Sequence, residues 1–233
     1  MNANNTISNN FSLLPILLLR ARIYSIISYL FLLEPTREYL GELVDDPVLK
    51  KLATVYPNSE LRHSTIEFLK AIENLLNGGE QQLIDEWAEY TRLFIAPRPI
   101  AVPFESAQRG MPLKGKAWEE VRDWFLDDGF VLVDKFVLED HAGVELEYMA
   151  TTSLKCYELL NEGSLEDAIR ILERQKMFME NHVMKWIPKL SDVIEKNSRS
   201  FFYRSFAKFT KNYLKEDFEL LDEIVEYLKE LKK

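Results

Sequence analysis

The chain has 233 residues, 47% of them hydrophobic, with 38 acidic side chains against 29 Lys and Arg and a formal net charge of −9. That length supports one large core or two small ones, and the acidic balance excludes general nucleic-acid binding, which needs a basic face toward the phosphates. A single cysteine, Cys156, excludes an intramolecular disulfide and a cysteine-rich zinc site, and fits a reducing cytoplasm.

With 8 Gly and 9 Pro the chain has few turn formers for many short strands. Recurrent 3.6-residue spacing of apolar side chains predicts an all-α protein. Residues 1–12 are polar and Asn-rich and read as a frayed terminus. The run from Phe11 to Leu33 is long enough to cross a membrane, but Arg20 and Arg22 near its middle would each cost about 2.5–3.5 kcal/mol in a bilayer. A globular helix is expected instead, from after Pro15 to about Leu33, stopping before Pro35. No secretory signal is expected, because the first ten residues carry no basic side chain.

Shorter helices are expected over Thr36 to Val44 and Pro47 to Val55. Asn58 or Ser59 can cap the next, which puts Leu61, Thr65, Phe68, Ile72 and Leu75 on one face and ends at Gly78-Gly79. His63 stands there in Glu60-Leu61-Arg62-His63. That spacing is used in di-iron bundles, but such sites need two copies, so solvent exposure is the expectation.

Leu83, Trp87, Tyr90 and Phe94 then form one apolar stripe. Three prolines, Pro97, Pro99 and Pro103, keep the stretch from Ile95 to Ser106 out of a helix. A helix from about Gly115 to Asp128 turns Ala117, Trp118, Val121, Trp124 and Phe125 inward, and Gly129-Phe130 closes it. Val131 to Leu138 is too short and isolated for a sheet and reads as an extended connector. It leads to Asp140-His141, where Asp140 suits an N-cap and the most apolar helix of the chain begins at about His141. Five carboxylates (Asp134, Glu139, Asp140, Glu145 and Glu147) crowd this region against Lys135.

Ser164 with Asp167 resembles a capping box for a helix over 165–187 that Pro188 ends. Phe178, His182 and Trp186 stand four apart on it. Two more helices are expected. One carries the stripe Phe202, Phe206, Phe209 and Tyr213, and a final one carries Phe218, Leu221, Val225 and Leu228, with Lys229, Lys232 and Lys233 at the negative end of its dipole.

Tyr90-Thr91-Arg92-Leu93-Phe94, Pro103-Phe104-Glu105-Ser106, Asp140-His141 with Glu145-Leu146-Glu147-Tyr148-Met149, and Phe178, His182 and Trp186 follow one another in the order of a known set of motifs. Together they resemble the TorD-like family of cytoplasmic chaperones, which includes the DmsD and NarJ types and serves molybdenum-containing oxidoreductases. The resemblance covers about residues 16–190. The chain departs from it at Gln108, where an aromatic is usual, and at Val137-Leu138-Glu139, where a proline commonly precedes Asp-His. It implies an all-helical protein that binds a molybdoenzyme catalytic subunit or its twin-arginine signal peptide, and holds it from export until the molybdopterin cofactor is inserted.

Enzyme readings find less support. The chain has neither standard Gly-rich phosphate loop and no Gly-x-Ser-x-Gly elbow. His141 and Glu145, one helical turn apart, could share a metal with His182 as third ligand, and Asp140-His141 could act as an acid–base pair, since a carboxylate raises the pKa of a neighbouring imidazole. Adjacent residues at a helix start point apart, however, and no nucleophile motif accompanies them. The acidic cluster serves better to hold arginines of a peptide, at about 1.5–3 kcal/mol per charge-assisted hydrogen bond, with apolar residues of the peptide in a groove.

The sequence is accordingly read as a single all-α domain of two lobes, to about residue 136 and over 144–233, joined by a connector at 137–143. It is expected to be a cytoplasmic monomer or homodimer with no cofactor or metal of its own and no membrane insertion. Tyr90, Leu93, Phe94, Pro103, Phe104, Glu105, Asp140, His141 and Glu145 are expected to border the client site. The rival readings are a helical interaction module without a molybdoenzyme client, and a metal-dependent enzyme.

Overall fold

The first helix, α1 (Leu13–Leu32), is apolar enough to span a bilayer by composition, yet it lies inside the protein, packed most extensively on α8 (Ala142–Asn161). Arg20 explains how such a helix tolerates a charge in the core. Its Nε and Nη2 form a fork on Asp217, at 2.7 and 3.0 Å, and its Nη1 donates to Gln175 Oε1 at 2.9 Å. Arg22, at the helix flank, pairs with Asp46. The computed structural model describes residues 13–55, 59–133 and 136–231. The expectations for residues 1–12, Asn58, Asp134, Lys135, Lys232 and Lys233 lie outside the described residues.

Around α1 and α8 the chain adds α2 (Arg37–Val44), α3 (Pro47–Val55), α4 (Glu60–Asn77), α5 (Glu80–Tyr90), the short α6 (Glu105–Gln108), α7 (Lys116–Asp127), α9 (Leu165–Phe178), α10 (Met184–Asn197) and α11 (Phe201–Leu231). Two π turns, Thr91–Ile95 and Met179–Val183, follow α5 and α9 directly. No strand occurs among the described residues; an isolated antiparallel bridge joins Phe104 to His141. Ser59 accepts from Arg62 N–H as the expected cap of α4, and two caps not anticipated from the sequence set other starts: Thr36 accepts from Tyr39 N–H, and Asp46 from both Val48 and Leu49 N–H groups. All five expected inward residues of α4 are buried, and His63 is exposed.

Helices from both ends of the chain share one core. α11 packs on α4 as well as on α9 and α10, and its Phe202, Phe206 and Phe209 gather around Phe68, with Phe209 stacked 5.3 Å from it. A second tie fixes the end of α5. Arg92 forks onto Glu89, which also accepts from Ser198 Oγ and Arg199 N–H before α11. Burial opposes the charge on Glu89, but these donors overcome it and bring its pKa down to about 2.

Several expected boundaries are corrected. The helix after Asp140 starts at Ala142 with His141 as its N-cap. Ser164 precedes α9 but its side chain makes no capping bond. Ile95 closes a π turn and Glu105-Ser106 open α6, so the non-helical stretch is 96–104. Pro188 lies within α10 and does not end it; a proline removes one hydrogen bond and bends a helix, and packing of Trp186, Ile187 and Leu190 in the core holds the turns on either side. Finally, the two C-terminal helices are one, running 31 residues without a break.

Candidate functional site

The π turn after α5 points Leu93 and Phe94 into the core, where the Phe94 ring meets Phe31, Tyr90 and Tyr203 edge-on. Tyr90 donates its hydroxyl to Phe31 O at 3.0 Å. The proline-rich segment then folds back on this turn through Ala101 N–H to Leu93 O at 2.8 Å. It reaches the connector next: Ala142 N–H donates to Pro103 O at 2.9 Å and Glu105 N–H to Asp140 O at 2.8 Å. That pairing brings the Phe104 and His141 rings edge to face, 5.0 Å apart.

Asp140 performs the capping chemistry expected of it, but for a different helix. Its Oδ2 accepts from Ser106 N–H at 3.0 Å and from Ser106 Oγ, so the carboxylate serves the start of α6, 34 residues away in sequence. Burial, and beside it the Glu105 charge, raise its pKa against the lowering effect of the Ser106 donors. His141 Nδ1 accepts from Gly143 N–H at 3.1 Å, which requires the unprotonated nitrogen. Burial pushes its pKa down to about 4. The acid–base reading of Asp140-His141, which needed a raised imidazole pKa, is corrected by this geometry.

Glu105 divides its carboxylate between Arg109 Nη1 at 2.8 Å and His182 Nδ1 at 2.9 Å. Glu145 accepts from Trp186 Nε1 at 3.1 Å. Complete burial, and next the neighbouring Glu105 charge, hold Glu145 well above the usual carboxylate range, which favours its neutral acid. The motif Phe178, His182 and Trp186 thus supplies two donors to two buried glutamates.

The structure therefore brings Pro103, Phe104, Glu105, Asp140, His141 and Glu145 into one cluster. Tyr90, Leu93 and Phe94 join it only through the backbone of the loop, their side chains being directed at α1 and α11. Except for Phe104, which is half-buried, all nine are buried, so they shape the site from within. Among the described residues no three His, Cys, Asp or Glu side chains are grouped to hold a metal ion.

Beside this cluster lies a polar site that sequence reasoning missed. Trp124 Nε1 donates to Tyr148 OH at 3.0 Å, Tyr148 OH donates to Asp128 Oδ2 at 2.6 Å, and Arg174 sits 2.5 Å from Asp128 Oδ1 with its guanidinium over the Trp124 ring. An aromatic layer joins the two sites. The Phe178 ring lies 4.6 Å from Tyr148 and 4.9 Å from His182, and Trp124 lies 5.9 Å from His182. The helix-to-helix pairing of Asp128 with Arg174 leaves no periodic trace, so only the apolar members of this site were visible in the sequence.

Residues 58–192 match the family model described as nitrate reductase delta subunit. Curated relatives carry the name chaperone protein TorD: that of Vibrio parahaemolyticus serotype O3:K6 (strain RIMD 2210633) is 28% identical over 203 residues, covering 85% of this chain and 92% of its own. Those of Vibrio vulnificus (strain YJ016) and Vibrio atlanticus (strain LGP32) are 26% and 24% identical, covering 81% and 87% of this chain and 88% and 94% of theirs. With more than half its length matched, and its motifs gathered in a single buried cluster, the chain belongs to the nitrate reductase delta subunit family, that of the TorD-like chaperones.

Proposed function

We propose that this chain is a cytoplasmic chaperone of reductase assembly, which binds a molybdoenzyme catalytic subunit or its twin-arginine leader and delays export until the molybdopterin cofactor is in place. The observation that carries the reading is the match over residues 58–192, joined to relatives named as chaperones along more than 80% of the chain. The role is a non-enzymatic one. The chemistry of the buried cluster agrees with that, because Asp140 Oδ2, both Glu105 oxygens and His141 Nδ1 are engaged by Ser106, Arg109, His182 and Gly143 and hold a loop in place.

In this reading Tyr90, Leu93, Phe94, Pro103, Phe104, Glu105, Asp140, His141 and Glu145 set the wall of the client site. Titration calorimetry of the purified protein with a twin-arginine leader peptide tests it. Saturable binding is expected, and it should be lost when both arginines are replaced by glutamine. No saturable binding to leaders or to the mature subunits that follow them, with an unrelated partner recovered from native cells, would remove the reading.

A further inference from the structure

A groove of about 880 Å3 runs between α8 and α9, with residues 127–131 as its third wall and Glu147, Tyr148, Thr151 and Ile171 along its floor and sides. At one end is a guanidinium site that the chain fills with its own side chain. The Arg174 guanidinium carbon lies 4.6 Å from the Trp124 ring centre, and its Nε is 2.5 Å from Asp128 Oδ1. Because Asp128 is also held by Tyr148 OH, and Tyr148 by Trp124 Nε1, the flat face and the carboxylate are fixed relative to each other without help from Arg174.

Arg174 fills this cradle incompletely. Its Nε meets a single Asp128 oxygen at ion-pair distance, and its Nη2, shielded from water, has no hydrogen-bond acceptor among the described residues. A guanidinium binds most strongly as a two-pronged fork on a carboxylate, stacked on an aromatic face. Farther along, the groove changes character. Val131 is 76% exposed and Ile171 half-buried, and Val133, just beyond the lining, is 92% exposed. Lys155 and Arg170 also line the groove, but each is paired on its own helix, with Glu158 and Asp167, whereas Glu147 has no ion-pair partner among the described residues. A second cation beside Glu147 and an aliphatic stretch against the valines complement what this surface offers.

We propose that the groove docks an arginine-bearing, aliphatic segment of the client, whose guanidinium displaces Arg174 from between Trp124 and Asp128 while its apolar residues cover Val131, Val133 and Ile171. Arg174 is then an internal competitor that keeps the cradle closed to weaker cations. A lysine lacks the planar fork and gains less from the exchange. The proposal takes its client from the chaperone reading, but its place in the fold rests on the side chains named here. Through Phe178 and Trp124, the buried Glu105–His182 pair stands directly behind the groove.

The experiment is calorimetry of the full chain with a leader peptide containing Arg-Arg followed by aliphatic residues, and with its Lys-Lys counterpart. Arg174→Gln removes the competitor and should tighten the Arg-Arg peptide by about tenfold or more, with little gain for Lys-Lys. Val131→Asp, at an exposed position that no part of the core depends on, should weaken it by about tenfold. Asp128→Asn should also weaken it. Wild-type binding that none of the three substitutions moves overturns the groove and leaves the chaperone reading standing. No saturable binding by wild type or Arg174→Gln overturns both. Self-association that Val131→Asp abolishes, with peptide affinity unmoved, assigns this face to a second copy and also overturns the proposal.

Discussion

Asp217→Ala is the most demanding test of how α1 is held in the core. Arg20 and Asp217 have side-chain exposures of 0% and 1%, and they meet through two hydrogen bonds of 2.7 and 3.0 Å. Tyr24 OH also donates to Asp217 Oδ2 at 2.5 Å. Burial works to strip Arg20 of its proton, and the charge and hydrogen bonds of Asp217 more than restore it, raising its pKa above the ordinary value. Removing the carboxylate leaves a buried guanidinium with Gln175 Oε1 as its one remaining hydrogen-bond acceptor. Loss of one partner of such a pair costs about 3–5 kcal/mol, a large share of a typical 5–15 kcal/mol total, and for a chain of this size lowers Tm by roughly 10 °C. The double change Arg20→Met with Asp217→Leu removes both charges together and should cost less than Asp217→Ala alone, because no ion is left stranded. Urea unfolding followed by circular dichroism, with equal m-values required, measures all three chains. An Asp217→Ala cost below about 1 kcal/mol, or a double change that costs as much as Asp217→Ala alone, refutes the reasoning.

At the crossing of α1 and α8, a Cβ on Gly143 would stand 2.4 Å from Leu32 Cγ and 2.9 Å from the Ser28 carbonyl oxygen. Gly143→Ala should therefore force the helices apart at about 1–3 kcal/mol, and a thermal melt unchanged from wild type would show that the contact yields freely. His141, with a folded pKa of about 4 against an unfolded value of about 6.5, contributes stability that is whole above pH 6.5 and is lost as pH falls toward 4. The difference is about 3 kcal/mol, and His141→Gln should flatten that part of the acid unfolding profile; identical slopes would contradict it. Glu145 has the opposite sign. Its raised folded pKa gives stability that is complete below about pH 4.5 and declines as pH rises through the folded value. Glu145→Gln, which keeps the shape without the ionisation, should be more stable than wild type at alkaline pH, and equal stability there would count against a neutral Glu145.

Local chemistry was legible in the sequence wherever the cause was local. The cap at Ser59, the proline-rich break after Ile95, and the apolar stripes of α4, α7 and α11 were all readable within a few residues. What escaped depends on partners far away in the chain. Lys215-Glu216-Asp217 reads as a polar interruption between two helices, yet α11 passes through it, because Asp217 turns inward to an arginine 197 residues earlier. Arg20 likewise argued only against a membrane, with no sign of its counter-ion. At Asp140 the residue type announced a cap, but sequence cannot say which helix end lies within reach of the carboxylate in the folded chain. The motif residues of the candidate site were found, and what could not be read was their depth.

That depth changes what a substitution at Asp140 can reveal. Asp140→Ala takes from the start of α6 its acceptor for Ser106 N–H and Oγ. Loss of a cap costs about 0.5–2 kcal/mol, and the buried, newly unpaired Ser106 N–H puts this case at the upper end. Any effect on client affinity must then travel outward, by a shift of α6 that disturbs Glu105, through its bond to His182, and on to the Trp124 face. Stability and affinity should therefore fall together in Asp140→Ala, and Ser106→Ala, which removes only the hydroxyl donor, should reproduce a smaller fraction of both. Denaturant titration and peptide calorimetry on the same two proteins decide the matter. An affinity lost while stability is kept would mean that the client reaches Asp140 directly, which a fully buried carboxylate already engaged by Ser106 does not permit.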